Sequence, residues 1–122
     1  MNSFQSICGM NPLIDQSGEA IGYLHNNIIL LPENFDVTGV VLGHCVFSKS
    51  GKVAGKLFDQ TFYTVDGQIV AEIGSQPAKD HFDENAIRMQ AWEVIQTIRD
   101  HQCPWIQPKA DWASTPVTQL LQ

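Results

Sequence analysis

The residues able to do chemistry stand in three places of the 122-residue chain. His44 and Cys45 are adjacent, and His25 holds a related point in an earlier segment. Imidazole and thiolate are zinc ligands, and together they can form a nucleophile and its base. Neighbours on a strand point to opposite faces, so one ion held by both His44 and Cys45 requires a bulge. Neither a helix N-terminus nor a strand-to-helix elbow stands beside Cys45 to stabilise a thiolate, even with His25 or His81 as base. The pattern therefore predicts surface histidines and a buried thiol, with no metal and no cofactor. Asp80, Asp83 and Glu84 surround His81, an acid–base set in principle. All three acids also suit the start of a helix, where a capping oxygen and negative charge are favoured. Lys49, Lys52 and Lys56 flank one turn of an acidic chain. Lysines so placed guard a sheet edge, or form a patch for an acidic partner. No GxGxxG ahead of a helix, GxxxxGK, GxSxG or HExxH occurs.

The elements that must position these residues are mostly strands. Ala20-Ile21-Gly22-Tyr23-Leu24, Val41-Leu42-Gly43-His44-Cys45, Val53-Ala54-Gly55-Lys56-Leu57 and Ile69-Val70-Ala71-Glu72-Ile73 share one form. Two apolar residues precede a small one, then come a variable residue and, as a rule, an apolar one. A second apolar run and a turn (Asn26-Asn27, Lys49-Ser50-Gly51, Asp66-Gly67) complete the units, a hairpin signature. Four β-hairpin repeats are expected over 18–76, with Gly22, Gly43, Gly55 and Ala71 as pivots where a bend or close backbone approach excludes large side chains. Pro32-Glu33-Asn34 interrupts the ladder. Phe4, Ile7 and Cys8 can supply a leading strand or arm. After Gly74 the period becomes helical. Ile87, Ala91, Val94, Ile95 and Ile98 form one stripe, so a helix is expected over 80–102, capped by Asp80 or Asp83 and stopped before Pro104. Met89 and Trp92 flank the stripe. The tail, 103–122, runs extended past Trp105 and Trp112, and Ser114-Thr115-Pro116 predicts a short final helix over 116–121. The fold class is thus mostly β (α+β), one domain, with pseudo-symmetric hairpin repeats packed on a C-terminal amphipathic helix.

The units Ile21-Gly22-Tyr23-Leu24, Leu42-Gly43-His44-Cys45, Ala54-Gly55-Lys56-Leu57 (with Asp66-Gly67 after it) and Val70-Ala71-Glu72-Ile73 resemble those of the four-fold β-flower family, small bacterial proteins of four β-hairpin units. The resemblance spans about half the chain. The long connection from Pro32 to Thr38 and alanine at the fourth pivot depart from the pattern. The resemblance implies the architecture and no catalytic or binding residues. A weaker likeness is to PRC-barrel-like or SH3-like β modules, which bind other macromolecules.

Composition narrows the function classes. A net charge of −6 opposes nucleic-acid binding, which needs a basic footprint, and adsorption to anionic membranes. No apolar run nears the roughly 20 residues of a membrane span. The first residues lack the basic start and apolar core of a signal peptide. Three cysteines without CxxC spacing fit free thiols in a reducing cytoplasm. The aromatics, eight of them Tyr23, Phe47, Phe58, Phe62, Tyr63, Trp92, Trp105 and Trp112, exceed the needs of a small core. Tyr23, Tyr63, Trp105 and Trp112 are the expected interaction surface. The expectation is a cytoplasmic, non-catalytic protein-interaction or structural module, homodimeric or bound to another protein. The alternatives are a small enzyme or ligand-binding protein with a His/Cys/acid pocket, and an immunity-type partner acting through an acidic face.

Overall fold

Alternating apolar segments between turn formers become eight strands: β1 (Asn11–Ile14), β2 (Ala20–His25), β3 (Ile28–Leu30), β4 (Val37–Leu42), β5 (Cys45–Ser48), β6 (Val53–Phe58), β7 (Thr61–Thr64) and β8 (Ile69–Ile73). Two helices follow, α1 (Glu84–Thr97) and α2 (Val117–Leu120). The computed structural model describes residues 10–74, 83–99 and 102–122. The expected N-terminal strand or arm (Phe4, Ile7, Cys8) and the pair Asp80 and His81 lie outside the described residues. Each strand pairs antiparallel with the next, and β8 pairs with β1 through Leu13 opposite Ile73 and Ile14 opposite Glu72. The fold is mostly β with a covering helix, as expected, and the sheet closes into a barrel. It starts at Asn11, ahead of the expected residue 18. β5 and β6 are paired on both sides, so Lys49, Lys52 and Lys56 guard no sheet edge.

Sequential antiparallel pairing sorts the connections between the two ends. Tight turns at Asn26-Asn27, Gly43-His44 and Asp59-Gln60 occupy one end. Asn26, Asn27, Asp59 and Gln60 all have positive φ, between 51° and 66°, the conformation that matches strand twist in two-residue hairpins. The other end carries longer loops. In three of them the N–H of Gly18, Gly51 or Gly67 donates to the carbonyl of Asp15, Ser48 or Thr64, and the side chain of that same acceptor residue takes further loop N–H groups. Each of the four longer-looped hairpins also slips register once, between Leu13/Ile14, Ile29/Leu30, Val46/Phe47 and Phe62/Tyr63.

Close approach explains the small residues within strands. A Cβ on Gly55 would overlap the Tyr63 carbonyl, and one on Gly39 would lie 2.9 Å from that of Phe47. Gly22 faces Leu30 in the same way, and Ala71 is fully buried. Gly43, the expected second pivot, is corrected by the structure. It lies in the β4–β5 turn at φ +65°, with nothing within 4 Å of its would-be Cβ, and Gly39 has the close approach. The reason is that Val37–Val41 are all buried; a strand covered on both faces shows no period-two phase.

Two cores result. Leu13, Ile29, Val41, Val46, Ala54, Phe62, Val70 and Ala71 come from strands around the ring and fill the barrel, together with Val117 and Leu121 from the α2 region. An eight-stranded barrel is just wide enough for side chains to fill it, as these do. Outside the wall, Leu30, Val37, Val40, Cys45 and Phe47 pack under Ile87, Ala91, Val94 and Ile98 of the helix stripe. Asp83 caps α1, its carboxylate accepting from Ala86 N at 3.1 Å. The helix ends at Thr97 rather than at 102. Ile98 is extended and buried, the Thr97 hydroxyl donates back to Val94 O at 2.6 Å, and the Thr97 carbonyl abuts Gly51. Pro116 is the N-cap of α2 instead of its first helical residue.

A Gly55→Ala variant is expected to lose at least ~3 kcal/mol of stability, or not to fold, because backbone rather than a movable side chain blocks the methyl. Gly43→Asn, in open space at a left-handed φ that asparagine tolerates, should cost under about 1 kcal/mol. Urea denaturation of the two variants measures the contrast.

Candidate functional site

Most of the residues singled out for chemistry have structural partners. His25, the buried last residue of β2, places Nε2 at 3.0 and 3.1 Å from the two Glu84 carboxylate oxygens, with Asn26 Nδ2 at 3.4 Å. The pair bolts the first turn of α1 to the tight-turn end of the barrel. Arg88, one turn on, stands 3.9 Å from the same carboxylate, and Asp83 is taken up by capping. His44 is exposed in its turn, with Nδ1 3.3 Å from Leu57 O. His25 and His44 thus serve different neighbours. Among the described residues no group of three or more His, Cys, Asp or Glu is placed to hold a metal ion.

Cys45 is corrected more sharply. It is half of a disulfide to Cys103, with Cα atoms 5.8 Å apart across 58 residues of sequence. A disulfide sulfur is neither a nucleophilic thiolate nor a metal ligand, which removes Cys45–His25 and Cys45–His81 from consideration. It also removes the argument from free thiols to a reducing compartment. An odd cysteine count without diagnostic spacing concealed the pair; contact between Cys45 and the tail is a long-range fact that local pattern does not carry.

The disulfide delivers the tail to the barrel's flank, where an aromatic groove forms. Lys56 of β6 stands opposite Cys45 on one side and Tyr63 on the other. Phe58 lies against Tyr63 with ring centroids 5.0 Å apart, and against His44 edge-on at 6.5 Å. Two residues after the bridge, Trp105 is 79% exposed and joins His44, Lys56, Phe58, Ile106 and Pro108 around a cleft of about 370 Å³. Beyond it, Lys109 N donates to Gly67 O, Ile69 N to Asp111 O at 2.7 Å, and Ala113 N to Ile69 O at 2.8 Å. These bonds lay Trp112 parallel to the start of β8. There it walls a second cleft of about 540 Å³ at the long-loop mouth of the barrel. Lys52 lines a third, with Arg99 and Thr97.

The four aromatics expected to form one surface therefore divide. Trp105 lines the flank groove, Tyr63 packs against its Phe58 from the neighbouring strand, and Trp112 lines the mouth. Tyr23 is half-buried, edge-on to Phe35 at 5.7 Å, and packs on the core beneath α1. Phe47 and Phe62 are core residues. Phe58 and His44 are the groove members whose role local pattern did not single out; their signal was cross-strand proximity, legible only with register in hand. Lys52 and Lys56 line different clefts. Comparison with known proteins finds no family model, curated protein or solved structure that matches the chain. Among the described residues no helix is long and apolar enough to cross a membrane.

The bridge closes a long loop, so replacing both Cys45 and Cys103 by alanine should cost on the order of 4 kcal/mol. Thermal melting with and without dithiothreitol checks this. The parent should lose stability on reduction, and the variant should melt low and ignore the reductant.

Proposed function

We propose that the chain is a non-catalytic protein-interaction module of the β-flower kind, working through the flank groove. The observation that carries this reading is Trp105. A large apolar side chain is held in water, two residues from a covalent anchor, sharing a cleft with Phe58, which packs on Tyr63. Aromatic anchors of this kind dominate protein interfaces. Lys56 and His44 give the groove a basic edge on a chain of net charge −6. Its complement is an acidic segment with an apolar anchor from another protein. The barrel interior is filled, and His25, Cys45, Asp83 and Glu84 have structural partners, which favours binding over chemistry. The disulfide favours an oxidising compartment over the cytoplasm expected from free thiols.

The test is a fluorescence titration in a Trp92→Phe background with two peptides sharing a Leu-Phe anchor, one flanked by glutamates and one by lysines. The acidic peptide should bind and shift the emission to the blue, Trp105→Ala should abolish the signal, and Lys56→Glu should weaken binding about ten-fold. Equal binding of both peptides, or of neither, overturns the assignment.

A second reading, a homodimer, rests on a different face. Met89 and Trp92, one turn apart on α1, are 70% and 59% exposed. A two-fold interface sets a patch against its own copy. An uncharged Met–Trp pair allows this, whereas Lys56 would face Lys56. If the chain pairs through this face, light scattering will show a concentration-dependent dimer that Trp92→Glu converts to monomer. A dimer unaffected by Trp92→Glu, or a monomer throughout, rejects it.

A further inference from the structure

The mouth cleft differs from the other two in its charge. Lys56 and His44 line the flank groove, and Lys52 and Arg99 line the cleft beside the end of α1. Among the described residues the mouth cleft is lined by no Lys, Arg or His and by two acids, Asp15 and Glu33. Its volume of about 540 Å³ is in the range of small-molecule sites. Its lining is mixed in a specific way. Ile21 and Val70 are apolar, Trp112 supplies an indole, Ser114 a hydroxyl, and the carboxylates come from two different loops.

Both the backbone that carries the indole and the β1–β2 carboxylate are held in place before any ligand arrives. The main chain at Trp112 is fixed between the Asp111 and Ala113 hydrogen bonds to Ile69. Asp15 Oδ1 accepts from the Ser17 hydroxyl at 2.7 Å and from the Ser17 and Glu19 N–H groups at 3.0 Å each. The Ser17 hydroxyl foremost, then the Glu19 N–H, holds the Asp15 carboxyl below its ordinary range, so it is anionic at any physiological pH. An indole face attracts cations, and a cleft lined by one sign of charge concentrates ligands of the other.

We infer that the mouth cleft binds a small organic cation, an alkyl- or arylalkyl-ammonium, with its hydrocarbon body over Ile21 and Val70 and its charge among Trp112, Asp15 and Glu33. This site is separate from the flank groove and does not depend on it. Preorganised walls and an apolar floor discriminate against bare metal ions, which take several oxygen ligands in a closed shell.

The test uses the full chain with Trp92→Phe and Trp105→Phe, which leaves Trp112 as the only one of three tryptophans. Phenethylammonium chloride is titrated at low ionic strength while Trp112 emission is followed. The neutral isostere 2-phenylethanol, the anion 3-phenylpropionate and N-acetyl-lysine amide are run in parallel. Saturable binding of phenethylammonium is expected, about ten-fold weaker for the alcohol and absent for the carboxylate. Glu33→Gln, an exposed change that should leave the fold intact, is expected to weaken it about five-fold. Four results overturn the proposal. They are no saturable change, equal affinity for the alcohol, no effect of Glu33→Gln, or tighter binding of N-acetyl-lysine amide, which would make the cleft a reader of lysine side chains in proteins.

Discussion

Eight strands in sequence are only a curled sheet until the first and last pair, and here that seam is narrow. β1 offers two residues to β8, Leu13 and Ile14. Around them Asn11 Nδ2 donates to Gly74 O at 3.0 Å and Gly74 N donates to Pro12 O at 2.8 Å. The start of β8 reaches past the end of β1, and this stretch would present unpaired backbone to water, the liability of any sheet edge. The tail covers it. Asp111 and Ala113 take both backbone groups of Ile69, so closure is completed by residues some forty positions later in the chain (113 − 69). The pairing is non-local at both halves of the seam, and the loop-closure entropy it must overcome explains why the tail is anchored as well by Cys45–Cys103 and by burial of Ile106.

Because the tail completes the barrel, its path decides what the surface looks like. It starts at the disulfide beside the tight-turn end, passes the flank, pairs with Ile69 and ends with Val117 and Leu121 in the interior core. Its two tryptophans are set down on the way, one in the flank groove and one in the mouth cleft. With the interior filled, grooves between tail and barrel are where ligands can meet this fold. These two clefts are therefore products of one docking event, and their opposite charge follows from the strands and loops each abuts: Lys56 of β6 on the flank, Asp15 and Glu33 of two loops at the mouth.

The parts of this arrangement legible in sequence were those set by neighbours. The 3.6-residue spacing from Ile87 to Ile98 reports a helix packed on one side, and Ile87, Ala91, Val94 and Ile98 of that stripe are buried, with Ile95 half-buried. Asn26-Asn27 and Asp66-Gly67 carry their turn geometry in their own side chains and flexibility, and they form turns. The slip from Gly39 to Gly43 has a definite cause: Val40-Val41-Leu42 is apolar on both faces, so nothing local says which residue faces inward. The early end of α1 depends on Gly51 lying against the Thr97 carbonyl, a contact between distant segments. Barrel closure, the disulfide and the grouping of Phe58, Tyr63, His44 and Trp105 are likewise pair properties. None has a local signature.

The same distinction bears on what the molecule does. A titratable residue kept for catalysis must be positioned yet left available to a substrate. Here, His25 and Glu84 face one another, Asp83 caps α1, Asp15 organises a loop, and Cys45 and Cys103 are joined. Each makes a contact that the fold itself requires. Trp105 stands the other way round. Its exposure contributes nothing to the core, and leaving so large an apolar surface in water is unfavourable on its own. Its groove neighbour Phe58 already packs on Tyr63, and Ile106 next to it supplies the buried anchor of that segment. A side chain that the fold does not need, held by elements the fold does need, gains its favourable burial only when something else covers it.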